Sequence, residues 1–303
     1  MWRFKRNEGK QECVIGKCTN FVKTSSKEVI MENKIKWLWI VCCCMLLGVA
    51  NAQEPQQPKR VKKVYYNAFS HNDYEHERPL SDALDFGFNC VEADLWLIDG
   101  ELYVSHDKPE PSPEITFKKI YLEPLAKRIA ENRGKVHPKG KKPFFLMVDC
   151  KSNGEEILPV LKEQLESYRS LFCEVKDGKY HKGAVLLFLS GDNPRKSILS
   201  SEDGYIFLDG RISDLGKNVN SRLMPVISDN YSSFIKWKGQ GEISKEELNK
   251  MRGYIRQAHR EGKLFRWYGA PDTPQFKHFF MNEGVDLVGA DNLQSMYRVL
   301  NER

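Results

Sequence analysis

Between His71 and Asp107 the chain sets His71, Glu92, Asp94, His106 and Asp107, each at or near the end of an expected β-strand. Two imidazoles flanking two carboxylates form a compact set for cleaving a phosphate ester. The carboxylates can hold a divalent cation, and the histidines can exchange protons with attacking and leaving oxygens. Glu92 and Asp94 alternate with apolar Val91, Ala93 and Leu95, so both carboxylates point to one face of their strand. Two like charges on one face of a buried strand repel unless something neutralises them. A hard cation, Ca²⁺ or Mg²⁺, does so through oxygen ligands. A salt bridge to Lys or Arg is the competing reading. Asp149-x-Lys151 repeats the pattern on the next long strand. Asp149 offers a third ligand. Lys151 either compensates the carboxylates or meets a phosphate oxygen, with a plain structural ion pair as the alternative.

Such residues need a scaffold that gathers many strand ends. From Val64 onward, short apolar runs alternate with amphipathic stretches. Strands are expected at 64–69, 90–97, 101–105, 144–148, 184–189, 205–208, 224–227, 264–268 and 286–288. Helices are expected at 79–85, 119–133, 155–171, 244–261 and 273–282. Pro79 opens the first helix and Gly87 follows its end, the usual asymmetry. Asp99-Gly100 is a hairpin turn, and Ser244 with Glu247 forms a capping box. Polar or ionisable residues recur at the C-terminal ends of nearly all strands, as in a (β/α)₈ TIM barrel of the α/β class. One barrel domain is expected over residues 64–303. A doubly wound open sheet is the competitor, but its Gly-rich phosphate loop after the first strand is missing. Residues 108–116, 191–204 and 229–243 read as loops that set specificity.

The net charge of +6 is carried mostly by the N-terminal region. Residues 1–52 hold nine Lys and Arg against four Asp and Glu, leaving 38 against 37 in the rest. A nearly neutral body gives no reason to expect a nucleic-acid partner. Residues 31–52 read as a cleaved signal peptide: Lys34 and Lys36, an apolar run from Trp37 to Ala50, then Ala50-Asn51-Ala52. An uncleaved anchor is the alternative. The expectation is a secreted or periplasmic protein that starts at Met31, with residues 1–30 a misassigned upstream extension and 53–63 a linker. Five of the eight cysteines lie before residue 45. Cys90, Cys150 and Cys173 fit neither a zinc site nor a dense disulfide framework, and Cys90 and Cys150 read as core residues.

The run His71-Asn72-Asp73, Arg78-Pro79-Leu80, Val91-Glu92-Ala93-Asp94, Asp99-Gly100 and His106-Asp107 resembles the glycerophosphodiester phosphodiesterases. These belong to the wider group of phosphatidylinositol-phospholipase-C-like barrels. The resemblance extends to Asp149-Cys150-Lys151 and returns at Trp267 and at Gly284-Val285-Asp286 with Ala290-Asp291. His-Asn-Asp-Tyr at 71–74 is most similar to a subgroup of secreted and fungal-mitochondrial members, and Asp149-x-Lys151 is also similar to sphingomyelinase D. The resemblance implies one Ca²⁺ or Mg²⁺ on Glu92, Asp94 and Asp149, with His71 and His106 as general acid and base. It implies that Asn72, Lys151, Trp267 and Asp291 meet the substrate. Asn72 stands where the family has Arg, Leu80 where it has Glu, and Asp149 is shorter than the usual Glu. These departures bear most on metal geometry and substrate grip.

The expected activity is therefore metal-dependent hydrolysis of a phosphoric diester, a glycerophosphodiester or a related (lyso)phospholipid head group. Two histidines would act as acid and base, with a cyclic phosphate as an optional intermediate. The substrate would be a small molecule or a lipid, the latter with peripheral membrane contact. A secreted barrel that binds phosphate or polyol groups without turnover is the alternative. Both histidines speak against it, since binding alone needs no acid–base pair. A carbohydrate hydrolase using Trp96, Trp237 and Trp267 as stacking platforms is less compatible, because two carboxylates on one strand do not flank a glycosidic bond.

Overall fold

Strand alternation organises the structure, a computed structural model that describes residues 63–201 and 203–302. The expected signal peptide, the upstream extension and nearly all of the linker lie outside the described residues. Eleven strands are described: β1 (Tyr65–Ser70), β2 (Phe88–Ile98), β3 (Glu101–Val104), β4 (Phe144–Cys150), β5 (Glu174–Lys176), β6 (Lys179–His181), β7 (Val185–Gly191), β8 (Ile206–Gly210), β9 (Val226–Asn230), β10 (Leu264–Tyr268) and β11 (Leu287–Ala290). Eight of them, β1, β2, β4, β7, β8, β9, β10 and β11, pair in parallel in that order. β1 pairs with both β11 and β2, which closes the sheet into a barrel and excludes the open sheet. β3 folds back antiparallel on β2 through Asp99-Gly100, where both residues have positive φ, as a tight hairpin turn requires.

The barrel interior is filled by every second residue. Phe69, Cys90, Met147, Phe188, Phe207, Val226 and Leu287 form an inner apolar cluster. The intervening residues, such as Val91, Leu146, Leu187 and Val288, join the larger outer core under the helices. Both faces of each strand are thus buried, which explains why β4 and β7 read as unbroken apolar runs. Each fully buried side chain of this size contributes roughly 1.5–3 kcal/mol.

The five expected helices follow their strands with mostly shorter bounds, and Leu293–Asn301 is a sixth that was not expected. Those most relevant to the site are Ser81–Asp85, Glu123–Glu131, Gly154–Glu166, Lys245–Arg260, Pro274–Asn282 and Leu293–Asn301. Ser244 caps Lys245–Arg260 by accepting from the Glu247 N–H. The 191–204 and 229–243 segments carry short helices, Arg195–Leu199 and Tyr231–Phe234, that sequence periodicity is too brief to reveal. The β5–β6 hairpin was likewise not expected, although Asp177-Gly178 is its turn signal. Among the described residues no helix is long and apolar enough to cross a membrane. Cys90, Cys150 and Cys173 are all buried free thiols.

Candidate active site

The inner face changes from apolar to ionisable at the C-terminal ends of the strands. On β2 the inward sequence is Cys90, Glu92, Asp94. Register pairs Asp94 with Asp149 on the neighbouring β4. Glu92, Asp94 and Asp149 each offer an oxygen within 4.8 Å of the others. Glu92 and Asp94 are buried. Burial pushes the Glu92 carboxyl above its ordinary range, with Arg266 and His71 pulling it back. Lys151 reaches Asp94 Oδ2 at 2.9 Å and Asp149 Oδ2 at 2.7 Å. Partial burial alone would lower the Lys151 ammonium, but the Asp149 and Asp94 carboxylates override it and hold it above the ordinary lysine range.

The carboxylates fit a hard cation. Three oxygen donors converge, and the buried Asp94 Oδ1 has no hydrogen-bond partner among the described residues. A buried carboxylate oxygen with no partner is costly, and a metal ligand position removes that cost.

The two histidines stand at either end of this carboxylate row. His71 Nε2 lies 3.6 Å from Glu92 Oε2, while its Nδ1 meets Asp291 Oδ1 at 2.6 Å. His106 Nδ1 lies 3.3 Å from Asp94 Oδ2. Glu92 and Asp94, which the imidazoles approach, lie about 7 Å apart along β2. Asp291 follows β11, so the His71 contact joins residues at opposite ends of the chain across the β1–β11 seam.

The loop after β1 is built around Asp73. It is buried, and it accepts from Ser70 Oγ at 2.8 Å, the Leu80 N–H at 2.6 Å and Tyr121 Oη at 3.0 Å. Burial raises its carboxyl to about 6, against the pull of the Leu80 N–H and the Ser70 and Tyr121 hydroxyls. Asn72 is left-handed at φ 46, a conformation Asn tolerates better than Arg does, and its N–H points to Glu92 Oε2 at 3.4 Å. Asn72 thus touches the carboxylate row through its backbone. Leu80 is a buried core side chain whose N–H is held by Asp73. Tyr74 was missed by sequence reasoning. Its hydroxyl donates to Asp94 Oδ2 at 2.8 Å and lies 3.2 Å from Asn72 Oδ1 and 3.5 Å from His106 Nδ1.

Trp267 is not brought to the carboxylates. On β10, Arg266 faces inward, with Nη2 3.9 Å from Glu92 Oε2 and its guanidinium carbon 4.4 Å from the Phe69 ring and 5.6 Å from that of Tyr268. Trp267, one residue on, faces the helices and packs against Phe265 and Tyr231 at 4.9 and 5.8 Å between centroids. A period of two makes this unavoidable, since neighbours on a strand cannot share a face. Tyr268 takes the inward aromatic position. Trp267 still borders a cavity of about 160 Å³ that opens beside His71, Arg266, Tyr268 and Asp291.

The wall formed by β8 was also missed. Asp209 on β8 is buried, accepts from Ser190 Oγ at 2.8 Å and pairs with Arg211 at 3.1 Å. Burial raises its carboxyl, and Arg211 and Arg266 oppose that rise. A lone charged residue inside an apolar strand, Arg266 in Leu264–Tyr268, was the available sequence signal.

Residues 60–209 match the AIM6-like phosphodiesterase domain. That stretch carries His71, Glu92, Asp94, His106, Asp149 and Lys151. The chain is a phosphoric diester hydrolase by class. Over that stretch, 150 of its 303 residues, it is similar to the AIM6-like phosphodiesterases. Relatives include altered inheritance of mitochondria protein 6 homolog of Arthroderma benhamiae, 24% identical over 259 residues, covering 75% of this chain and 81% of the relative. Altered inheritance of mitochondria protein 6 of Eremothecium gossypii is 26% identical over 264 residues, covering 75% and 67%. Among solved structures, a glycerophosphodiester phosphodiesterase from Parabacteroides distasonis aligns with a TM-score of 0.46 at 13% identity, over 78% of this chain and 97% of that one. One from Agrobacterium tumefaciens aligns at 0.42 and 13%, over 78% and 100%.

The relatives' names correct one expectation. They point to a mitochondrial or intracellular role, not to the secreted or periplasmic one read from residues 31–52. Basic residues before an apolar run mark a targeting segment by composition, and composition alone does not fix which membrane receives it.

Proposed function

We propose that the chain hydrolyses glycerophosphodiesters or related (lyso)phospholipid head groups with one divalent cation, Ca²⁺ or Mg²⁺, held by Glu92, Asp94 and Asp149. The observation that carries this reading is the carboxylate triad with an imidazole at each end. When bound, the cation supplies positive charge to a non-bridging phosphate oxygen. Asp291 accepts from His71 Nδ1–H, which leaves Nε2 as the proton acceptor facing the site. In that tautomer His71 takes the proton from the attacking hydroxyl, water or a neighbouring substrate hydroxyl. His106, with Nδ1 engaged by Asp94 and Tyr74, uses Nε2 to protonate the leaving alkoxide. The P–O bond to the leaving alcohol breaks as the new one forms. Attack by a neighbouring hydroxyl gives a cyclic phosphate, and attack by water gives the monoester directly. Lys151 holds Asp94 and Asp149 in place and would add positive charge for a bound phosphate. The partner is the small-molecule or lipid substrate itself, with peripheral membrane contact if it is a lipid.

The test is ³¹P NMR of the folded protein with a panel of glycerophosphodiesters and lysophospholipids, in Ca²⁺ or Mg²⁺ and in EDTA. Metal-dependent conversion of at least one diester to a monoester or cyclic phosphate is expected, with His71→Ala as the silent control. Equal turnover in EDTA refutes the ligand set. Equal turnover by His71→Ala refutes its role.

A further inference from the structure

The cations of the barrel mouth are not equally occupied. Lys151 is held by two carboxylates. Arg211 donates to Asp209 Oδ2 at 3.1 Å, to the Gly210 carbonyl at 3.0 Å and to Ser190 Oγ at 3.3 Å. Arg266 differs. Its side chain is only 4% exposed, its Nε–H has no hydrogen-bond partner among the described residues, and Glu92 Oε2, the nearest carboxylate oxygen among them, is 3.9 Å away, beyond hydrogen-bond distance. A guanidinium carries five N–H donors. Burying it over the Phe69 and Tyr268 rings with the Nε–H unpaired is expensive unless a ligand completes it.

The guanidinium keeps its positive charge, so the group that completes it is an anion or another acceptor oxygen. The cavity shared by Arg266, His71, Tyr268 and Asp291 lets such an anion reach the guanidinium.

We infer that Arg266 is a phosphate-binding residue, gripping a non-bridging phosphate oxygen from the β10 side, across the barrel from Lys151. This rests on the phosphodiesterase reading and adds the residue that holds its phosphate. Asn72 brings no charge to the mouth, so the guanidinium comes from a strand distant in sequence. An Arg fork directs two N–H groups at paired oxygens, which suits a tetrahedral phosphate and not a neutral polyol.

The experiment measures binding of inorganic phosphate to the Ca²⁺-loaded protein by calorimetry, for wild type, Arg266→Met and Arg266→Lys. Ca²⁺ affinity and diester KM are followed in parallel. Arg266→Met is expected to weaken phosphate binding by about tenfold or more, the scale of a charge-assisted hydrogen bond, and to raise KM while Ca²⁺ affinity holds. Arg266→Lys recovers part of the affinity. Equal phosphate affinity in wild type and folded Arg266→Met overturns the inference, and wild-type diester cleavage then leaves the proposed function standing. A wild type that binds no phosphate overturns the inference, and one that also cleaves no diester overturns both. Should Arg266→Met not fold, the ¹⁵Nε–¹H signal of Arg266, identified by its loss in Arg266→Lys, is followed on phosphate addition. A shifted signal supports the grip, and an unmoved one overturns it.

Discussion

Tyr74 shows how much one hydroxyl can organise. It contacts a proposed metal ligand, Asp94, a proposed acid–base group, His106, and the strained Asn72. Burial and the adjacent Asp94 push its phenol above the ordinary range, so it remains a neutral donor. We expect Tyr74→Phe to keep the fold and lower kcat by roughly tenfold to a hundredfold, the scale of one hydrogen bond to a charged group. Steady-state kinetics and thermal melting check this together. An unchanged kcat in a folded variant removes Tyr74 from the machinery. His71, Glu92, Asp94, His106, Asp149 and Lys151 were legible in the sequence because each sits at a strand end in a recognisable local pattern. Tyr74 was not, since its partners lie twenty and thirty-two residues away. Trp267 borders the cavity beside His71, while Arg266 next to it takes the inward position. A local motif names the strand but not which of two adjacent residues faces the barrel.

Strand ends position these groups, and the closeness of β4 and β7 sets a tight limit on Asp149. Gly191 ends β7 beside it with φ +65. A Cβ there would lie 2.5 Å from the Cys150 carbonyl oxygen and 2.7 Å from Asp149 Oδ1. Both the backbone conformation and the space therefore demand glycine. Gly191→Ala should cost about 1–2 kcal/mol of stability through the left-handed conformation alone. It should also displace Asp149 and weaken Ca²⁺ binding. Denaturant unfolding and Ca²⁺ titration test the two effects separately, and unchanged Ca²⁺ affinity would argue against Asp149 as a ligand. The hairpin at Asp99-Gly100 and the cap at Ser244 were legible because each is decided within a few residues. The Arg195–Leu199 helix and the β5–β6 hairpin are too short for any periodicity to show.

At the scale of the domain, the N-terminal face of the barrel carries its own pH sensitivity. His137 is buried beneath β2 and β4, with Nε2 2.8 Å from the Phe88 carbonyl and its ring 6.1 Å from that of Phe144. Burial lowers its imidazole from 6.5 to about 4, despite the Phe88 carbonyl. The folded state then binds fewer protons than the unfolded one between these values. Its stability contribution is complete above pH 6.5 and is lost as pH falls toward 4, amounting to about 3 kcal/mol at the limit. Urea unfolding of wild type and His137→Asn across that window checks this. The variant should show the flatter pH dependence, and parallel curves would refute it.

Barrel architecture, the run of ionisable strand ends and most of the proposed ligand and proton-transfer set followed from the sequence, because alternation, capping and turn chemistry act over short range. Closure of β1 on β11 was decided by tertiary structure alone. It pairs His71 with Asp291, 220 residues apart. Register then set Asp94 against Asp149 and turned Arg266 inward in place of Trp267. No local preference encodes these contacts, since each depends on two strands reaching the same height on a closed sheet. The first cluster, from His71 to Asp107, is in this sense half of a site, and the barrel supplies the other half from β4, β8, β10 and β11.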